Sequence, residues 1–294
     1  MISWLKKLLG SGDSAPHPAT PPGPFAEAEA RAARVREQLL AAPLVELLGV
    51  VAPSGCSGSK GGPGTPWHIG CELVAWRVAD GPLQENGLTL TRQVEEKQIR
   101  DLQDSLPAYA VRKLRARLLR QSEMGPRAWL EKVVGPARDA ELEAIAAKLQ
   151  EAVTHEDEVF GTCTLDRALD WYSGRGRWMG TEVDVHLSTA QSESLPALLA
   201  LAHGVWAAQE SWHQRLLDRA LLDLLELKND GWLGDGEGTV TPGQFKARME
   251  LQSVTFYEEG DLNFCFGDGD LFWGHVIMVE ASIEAGPIRA DIAG

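Results

Sequence analysis

TLDRALDWYSGRGRWMGTEVDVHL, residues 164–187, decides the fold of the C-terminal half, because its apolar residues recur at even spacing along two arms. That period belongs to strands, whose successive side chains point to opposite faces. Leu165, Leu169 and Trp171 share a face on the first arm. On the second, Val183, Val185 and Leu187 do, with Glu182, Asp184 and His186 on the other side. Ser173-Gly174-Arg175-Gly176 has turn composition, so a β-hairpin reversing there is expected.

Downstream, Ser194 and Pro196 form a cap and first-turn pair that opens a helical stretch to about Lys228. Its apolar stripe includes Leu198, Ala202, Val205, Trp212, Leu216 and Leu224, and Gly204 is a candidate break between two helices. Asn229-Asp230-Gly231 ends the stretch, and Thr241-Pro242 starts a short helix to Met249. Strands are expected at 251–257, 262–266 and 271–282, with a short edge strand in IRADIAG, residues 288–294. Strands, then helices, then strands make an α+β domain over 159–294, an antiparallel sheet covered by helices on one face.

Upstream, residues 138–158 read as a helical connector with an acidic end. His155, Glu156, Asp157 and Glu158 would fan around a helix rather than converge on a metal. Residues 43–137 read as a β-rich domain, a small barrel or sheet. Its strands are expected at 44–52, 71–80, 87–94, 109–119 and 128–135, with a polar helical piece at 95–105.

Residues 53–70 hold six glycines and three prolines and read as a long loop. Gly55, Gly58, Lys60, Gly61 and Gly62 do not match the phosphate-loop pattern, since Gly61 rather than Ser or Thr follows Lys60 and no helix starts there. On the strand around Arg112–Arg120, Lys113, Arg115 and Arg117 share a face similar to that of an oligonucleotide-binding barrel, without the stacking aromatics. Residues 25–42 form an expected helix. Within residues 1–24, the first ten form a short basic amphipathic segment and the rest a linker with five prolines.

The whole chain of 294 residues corresponds to two domains at roughly 100–200 residues each. Its net charge is -14 and is uneven: residues 44–137 carry 12 bases and 10 acids, residues 159–294 carry 9 bases and 21 acids. Such a C-terminal half repels polyanions, so nucleic acid is not expected as the main partner, whereas a protein with a basic surface is. Cys56, Cys71, Cys163 and Cys265 are dispersed and fit neither a zinc ribbon nor a disulfide framework. With no apolar run of about 18 residues, the expected location is cytoplasmic, with residues 1–10 offering a weak membrane-surface contact.

The chemically suggestive cluster is GDGDLFWGH, residues 267–275. Asp268, Asp270 and His275, with Asp261 on the preceding turn, are candidates for a divalent cation site or for general acid and base work. Against this, Asp-Gly-Asp is common turn composition, and His275 shares an expected strand face with Ile277 and Val279. No cofactor is expected, a divalent metal being the alternative. Six of the ten tryptophans lie in the C-terminal domain. The candidate binding residues are Trp171, Tyr172, Arg175, Arg177, Trp178, Trp232 and Trp273.

LDRALDWYSG at 165–174, WMGTEVDVHL at 178–187, LLDLLELKNDGW at 221–232, GDGDLFWGHVIMV at 267–279 and the terminal IAG give the C-terminal domain its family likeness. It resembles the bacterial family termed domain of unknown function 2262. Residues 44–134 are similar to the region preceding that domain in relatives. The resemblance implies a soluble bacterial protein and carries no activity, cofactor or active site. The resulting expectation is a non-catalytic binding protein of immunity or antitoxin type. A metal-assisted hydrolase and a membrane-surface adaptor are the alternatives.

Overall fold

The computed structural model describes residues 24–60 and 64–293. Helix α1 (Pro24–Ala41) leads into strands β1 (Leu44–Lys60), β2 (Trp67–Val78) and β3 (Leu88–Val94). A short 3-10 turn (Glu96–Gln98) and helix α2 (Ile99–Ser105) follow, then β4 (Val111–Leu119) and β5 (Arg127–Pro136). The five strands close into a barrel in the order β1-β2-β3-β5-β4, with β3 and β5 parallel and the other pairs antiparallel. With α2 between β3 and β4, this is the Greek-key path of an OB-fold. Leu47, Leu73, Leu90, Leu114 and Leu130 fill the barrel, and Leu106, just after α2, is fully buried with them.

The stretch 53–70 departs from the expected loop. β1 bends through a register shift between Val51 and Cys56, where Gly55 has φ +66°, and then resumes pairing with β2 from Cys56↔Cys71 to Lys60↔Trp67. Gly55 serves the bulge, and Gly58 and Gly70 pair across the hairpin with Ile69 and Ser57, while Gly61 and Gly62 lie outside the described residues. Two of the three basic residues on the β4 face are paired, Lys113 with Glu46 at 2.8 Å and Arg117 with Glu131 at 2.8 Å, and Arg115 is exposed. Helix α1 also lies against β4 and β5, where the Arg36 guanidinium sits over the Trp129 ring and donates to Gln93.

The connector is shorter than expected. Helix α3 (Ala140–Gln150) is capped by Asp139, whose carboxylate accepts the Leu142 N–H at 3.1 Å, and it packs Leu142 and Ala146 onto Val50 and Ala75 outside the barrel. The acidic segment then becomes strand β6 (Thr154–Asp157), so these residues belong to the C-terminal sheet rather than to a helix end.

The C-terminal unit continues with β7 (Gly161–Asp166), β8 (Trp171–Trp178) and β9 (Thr181–Ser188), then helices α4 (Leu195–Ala207), α5 (Gln209–Gly231) and α6 (Pro242–Arg248). Strands β10 (Glu250–Tyr257), β11 (Asp261–Gly267), β12 (Val276–Ser282) and β13 (Gly286–Ala293) complete it. The fold class is α+β. Eight strands form one sheet in the order β13 to β6, antiparallel except where β9 meets β10 across the three helices. Val183, Val185, Phe264 and Ile277 share a fully developed core with Leu198, Leu216 and Leu224 of the helices. The helix break falls at Ala208 rather than at Gly204.

The turn expected at Ser173–Gly176 is instead the middle of β8. A Cβ on Gly174 would sit 2.7 Å from the Cys163 sulfur, and one on Gly176 would sit 2.7 Å from the Trp206 ring. These glycines admit Phe160 and Trp206 against the strand. The reversal lies at Met179-Gly180, φ +50° and +91°, a two-residue turn with both residues left-handed.

Candidate functional site

The loop joining β11 to β12 places the largest exposed aromatic of the C-terminal domain. Asp268 is only 6% exposed and works as the hub. Its Oδ2 accepts the N–H of Phe272 at 2.6 Å and of Gly274 at 3.2 Å, its Oδ1 that of Asp270 at 3.3 Å, and its carbonyl that of Leu271 at 2.9 Å. Leu271 and Phe272 are fully buried and anchor the loop. Four residues take left-handed φ: Gly269 at +51°, Asp270 at +64°, Trp273 at +58° and Gly274 at +88°. Gly269 is forced, since a Cβ there would lie 2.4 Å from the Arg248 carbonyl oxygen.

Trp273 is 64% exposed. A bulky side chain at positive φ is costly, so the loop holds this ring outward against its backbone preference. Trp232, at the end of α5, lies beside it with ring centroids 4.9 Å apart and meets His275 edge-on at 5.4 Å. Trp232 is itself pinned. Lys228, fully buried, donates to the Trp232 carbonyl and to Glu237, each at 2.7 Å. Glu237 also accepts from the Gly234 N–H at 2.9 Å and from Arg248 at 3.0 Å. Those bonds, the Gly234 amide first and Lys228 next, pull its carboxyl down to about 2. The result is a rigid aromatic surface of Trp232, Trp273 and His275.

The structure separates the metal candidates. Asp261 starts β11 and Asp268 follows its far end, so the strand lies between them. The Asp268 oxygens are occupied by backbone donors, and His275 precedes β12 in a turn rather than sharing a strand face with Ile277. Among the described residues, no three His, Cys, Asp or Glu side chains gather to hold a metal ion.

The binding candidates divide three ways. Tyr172 and Trp178 are each 2% exposed and belong to the core, where Trp178 packs edge-on against Trp206, so neither presents a surface. Trp171, Arg175 and Arg177 lie outside that core, with Arg175 paired to Glu182 and Asp184 at 3.1 Å each. Trp232 and Trp273 form the aromatic surface already described.

Sequence reading missed a cross-strand contact on the open sheet face. Ser173 Oγ lies 3.2 Å from His186 Nδ1, and Trp171 stacks on the imidazole at 4.3 Å. Burial draws the His186 pKa down. Among the described residues nothing hydrogen-bonds the other imidazole nitrogen, so the third member of a triad is missing. Pairing of β8 with β9 in register would have been needed to find it.

No described helix is long and apolar enough to cross a membrane, and the amphipathic segment at residues 1–10 lies outside the described residues. Residues 157–292 match the family described as an uncharacterized protein conserved in bacteria (DUF2262). That match covers the C-terminal domain. Residues 34–149, which span the barrel and α3, match a second family described as a domain of unknown function (DUF7021). A search of curated proteins and one of solved structures each found no match.

Proposed function

We propose that this protein is a non-catalytic cytoplasmic binding protein, of the immunity or antitoxin type, whose C-terminal domain seats a protein partner with a basic surface on Trp273 and Trp232. The observation that carries the reading is Trp273, exposed at φ +58° on a loop pinned by a buried carboxylate. Tryptophan is enriched among the residues that dominate binding energy, and a rigid one loses little entropy when a partner covers it. The acid excess of residues 159–294, 21 acids against 9 bases, supplies the complementary charge.

The test is affinity capture from a bacterial lysate by the full chain and by Trp273→Ala side by side, eluted along a salt gradient. The expected partner is basic, is absent from the variant and leaves the wild type as salt rises. A partner that binds both proteins equally, or that stays bound at about 1 M salt where charges are screened within a few ångströms, overturns the reading.

A further inference from the structure

The hairpin of β1 and β2 sets Cys56 opposite Cys71. Directly opposed residues of an antiparallel pair hold their Cα atoms about 4.5–5.5 Å apart, inside the roughly 4.4–6.8 Å that a disulfide spans. Both side chains turn to the barrel interior, Cys71 buried in its core and Cys56 half-buried against the same cluster. Both are thiols in this structure, and the Cys71 thiol donates to the Glu72 carbonyl at 3.7 Å. The other two cysteines have no such neighbour: Cys163 lies opposite His155 with Gly174 of β8 beside its sulfur, while Cys265 lies between Ser253 and Met278.

We propose that Cys56 and Cys71 are an oxidation site that reacts with hydrogen peroxide and closes to a cross-strand disulfide. The Cys56 sulfur, as thiolate, attacks one peroxide oxygen. The O–O bond breaks, hydroxide leaves and takes up the thiol proton as water, and Cys56 becomes a sulfenic acid. The Cys71 sulfur then attacks the Cys56 sulfur, the S–O bond breaks, and hydroxide leaves with the Cys71 proton as a second water. Two thiols lose one electron each, and one peroxide is reduced to two waters.

The environment sets this order. Cys56 is the less buried residue of the two, and the neighbouring Cys71 thiol draws its pKa down, whereas Cys56 and burial push Cys71 up. The attacking thiolate therefore forms at Cys56, and Cys71 resolves it. The bridge would close just beyond the bulge at Gly55, where Gln103 of α2 donates to the Cys56 carbonyl at 3.1 Å. Oxidation thus locks the β1–β2 register at the position on which α2 rests.

The full chain is treated with one equivalent of hydrogen peroxide, alkylated, digested and mapped by mass spectrometry. The expected product joins the Cys56 and Cys71 peptides, two hydrogens lighter, with Cys163 and Cys265 still thiols. Two intact thiols at 56 and 71, a link through Cys163 or Cys265, or a bond between two chains would overturn the proposal. In Cys71→Ala, sulfenic acid at Cys56 has no resolving thiol and is expected to accumulate several-fold over wild type. Equal trapping in both proteins would overturn the assigned order. Cys56→Ser changes only the half-buried partner and covers the case in which the core variant fails to fold. Cys71 is expected to stay reduced in it, and its oxidation at the wild-type rate would count against Cys56 as the first site.

Discussion

Asp268 Oδ2 accepts the backbone N–H of Phe272 at 2.6 Å, and that bond sets the outward aim of Trp273, the next residue along the chain. Replacing Asp268 by Ala strands the buried Phe272 N–H and removes the acceptor of the Asp270 and Gly274 N–H groups, which belong to exposed residues. At the cost of unsatisfied buried groups, the loss is about 3 kcal/mol. Asp268→Asn keeps one acceptor oxygen and loses about half as much. Urea denaturation monitored by tryptophan fluorescence checks both values.

Trp273→Gly separates stability from binding. Glycine relieves left-handed strain of about 1–2 kcal/mol, while the lost contact with Trp232 costs about 0.5–1.5 kcal/mol. The net change in stability is within about 1 kcal/mol, yet partner affinity falls at least tenfold, as for a residue at the centre of an interface. Parallel thermal melts and binding titrations against the captured partner give the two numbers.

Glu237 and Lys228 respond unequally to deletion. Glu237→Ala leaves the Lys228 ammonium buried with the Trp232 carbonyl as its remaining partner, whereas Lys228→Met leaves Glu237 still bonded to Arg248 and Gly234. A stranded buried charge is the costlier outcome, so Glu237→Ala lowers the urea midpoint further than Lys228→Met.

The same carboxylate makes stability depend on pH. Its pKa falls from 4.5 to about 2 on folding, so its contribution is complete above 4.5 and is lost as pH drops toward 2. Glu237→Gln is expected to flatten that part of the stability profile, read as urea midpoints across the acid range.

Gly176→Ala tests the packing of β8. Its new Cβ meets the Trp206 ring at 2.7 Å and the Phe160 ring at 3.0 Å, so overpacking costs about 1–3 kcal/mol. Gly180→Asn, at the left-handed turn, has open space and a residue type that accepts positive φ, and it is expected to cost less. Chemical denaturation of the two variants makes the comparison.

The sequence alone determined whatever local periodicity encodes. Val183, Val185 and Leu187 point into the core as their alternation required, the stripe from Leu198 to Leu224 is helical and buried, and Thr241 caps α6. Those features depend on neighbours a few positions away, which a sequence displays directly. Tertiary structure decided the rest, because the cause lay far along the chain. Gly174 and Gly176 look like a turn until Phe160 and Trp206 are seen to need their space, and residues 53–60 look like a loop until β2 supplies hydrogen bonds. Asp268 looks like a metal ligand until its oxygens are seen to hold the backbone that lifts Trp273. Cys56 and Cys71 look unrelated until a β-bulge resets the register and brings one sulfur opposite the other.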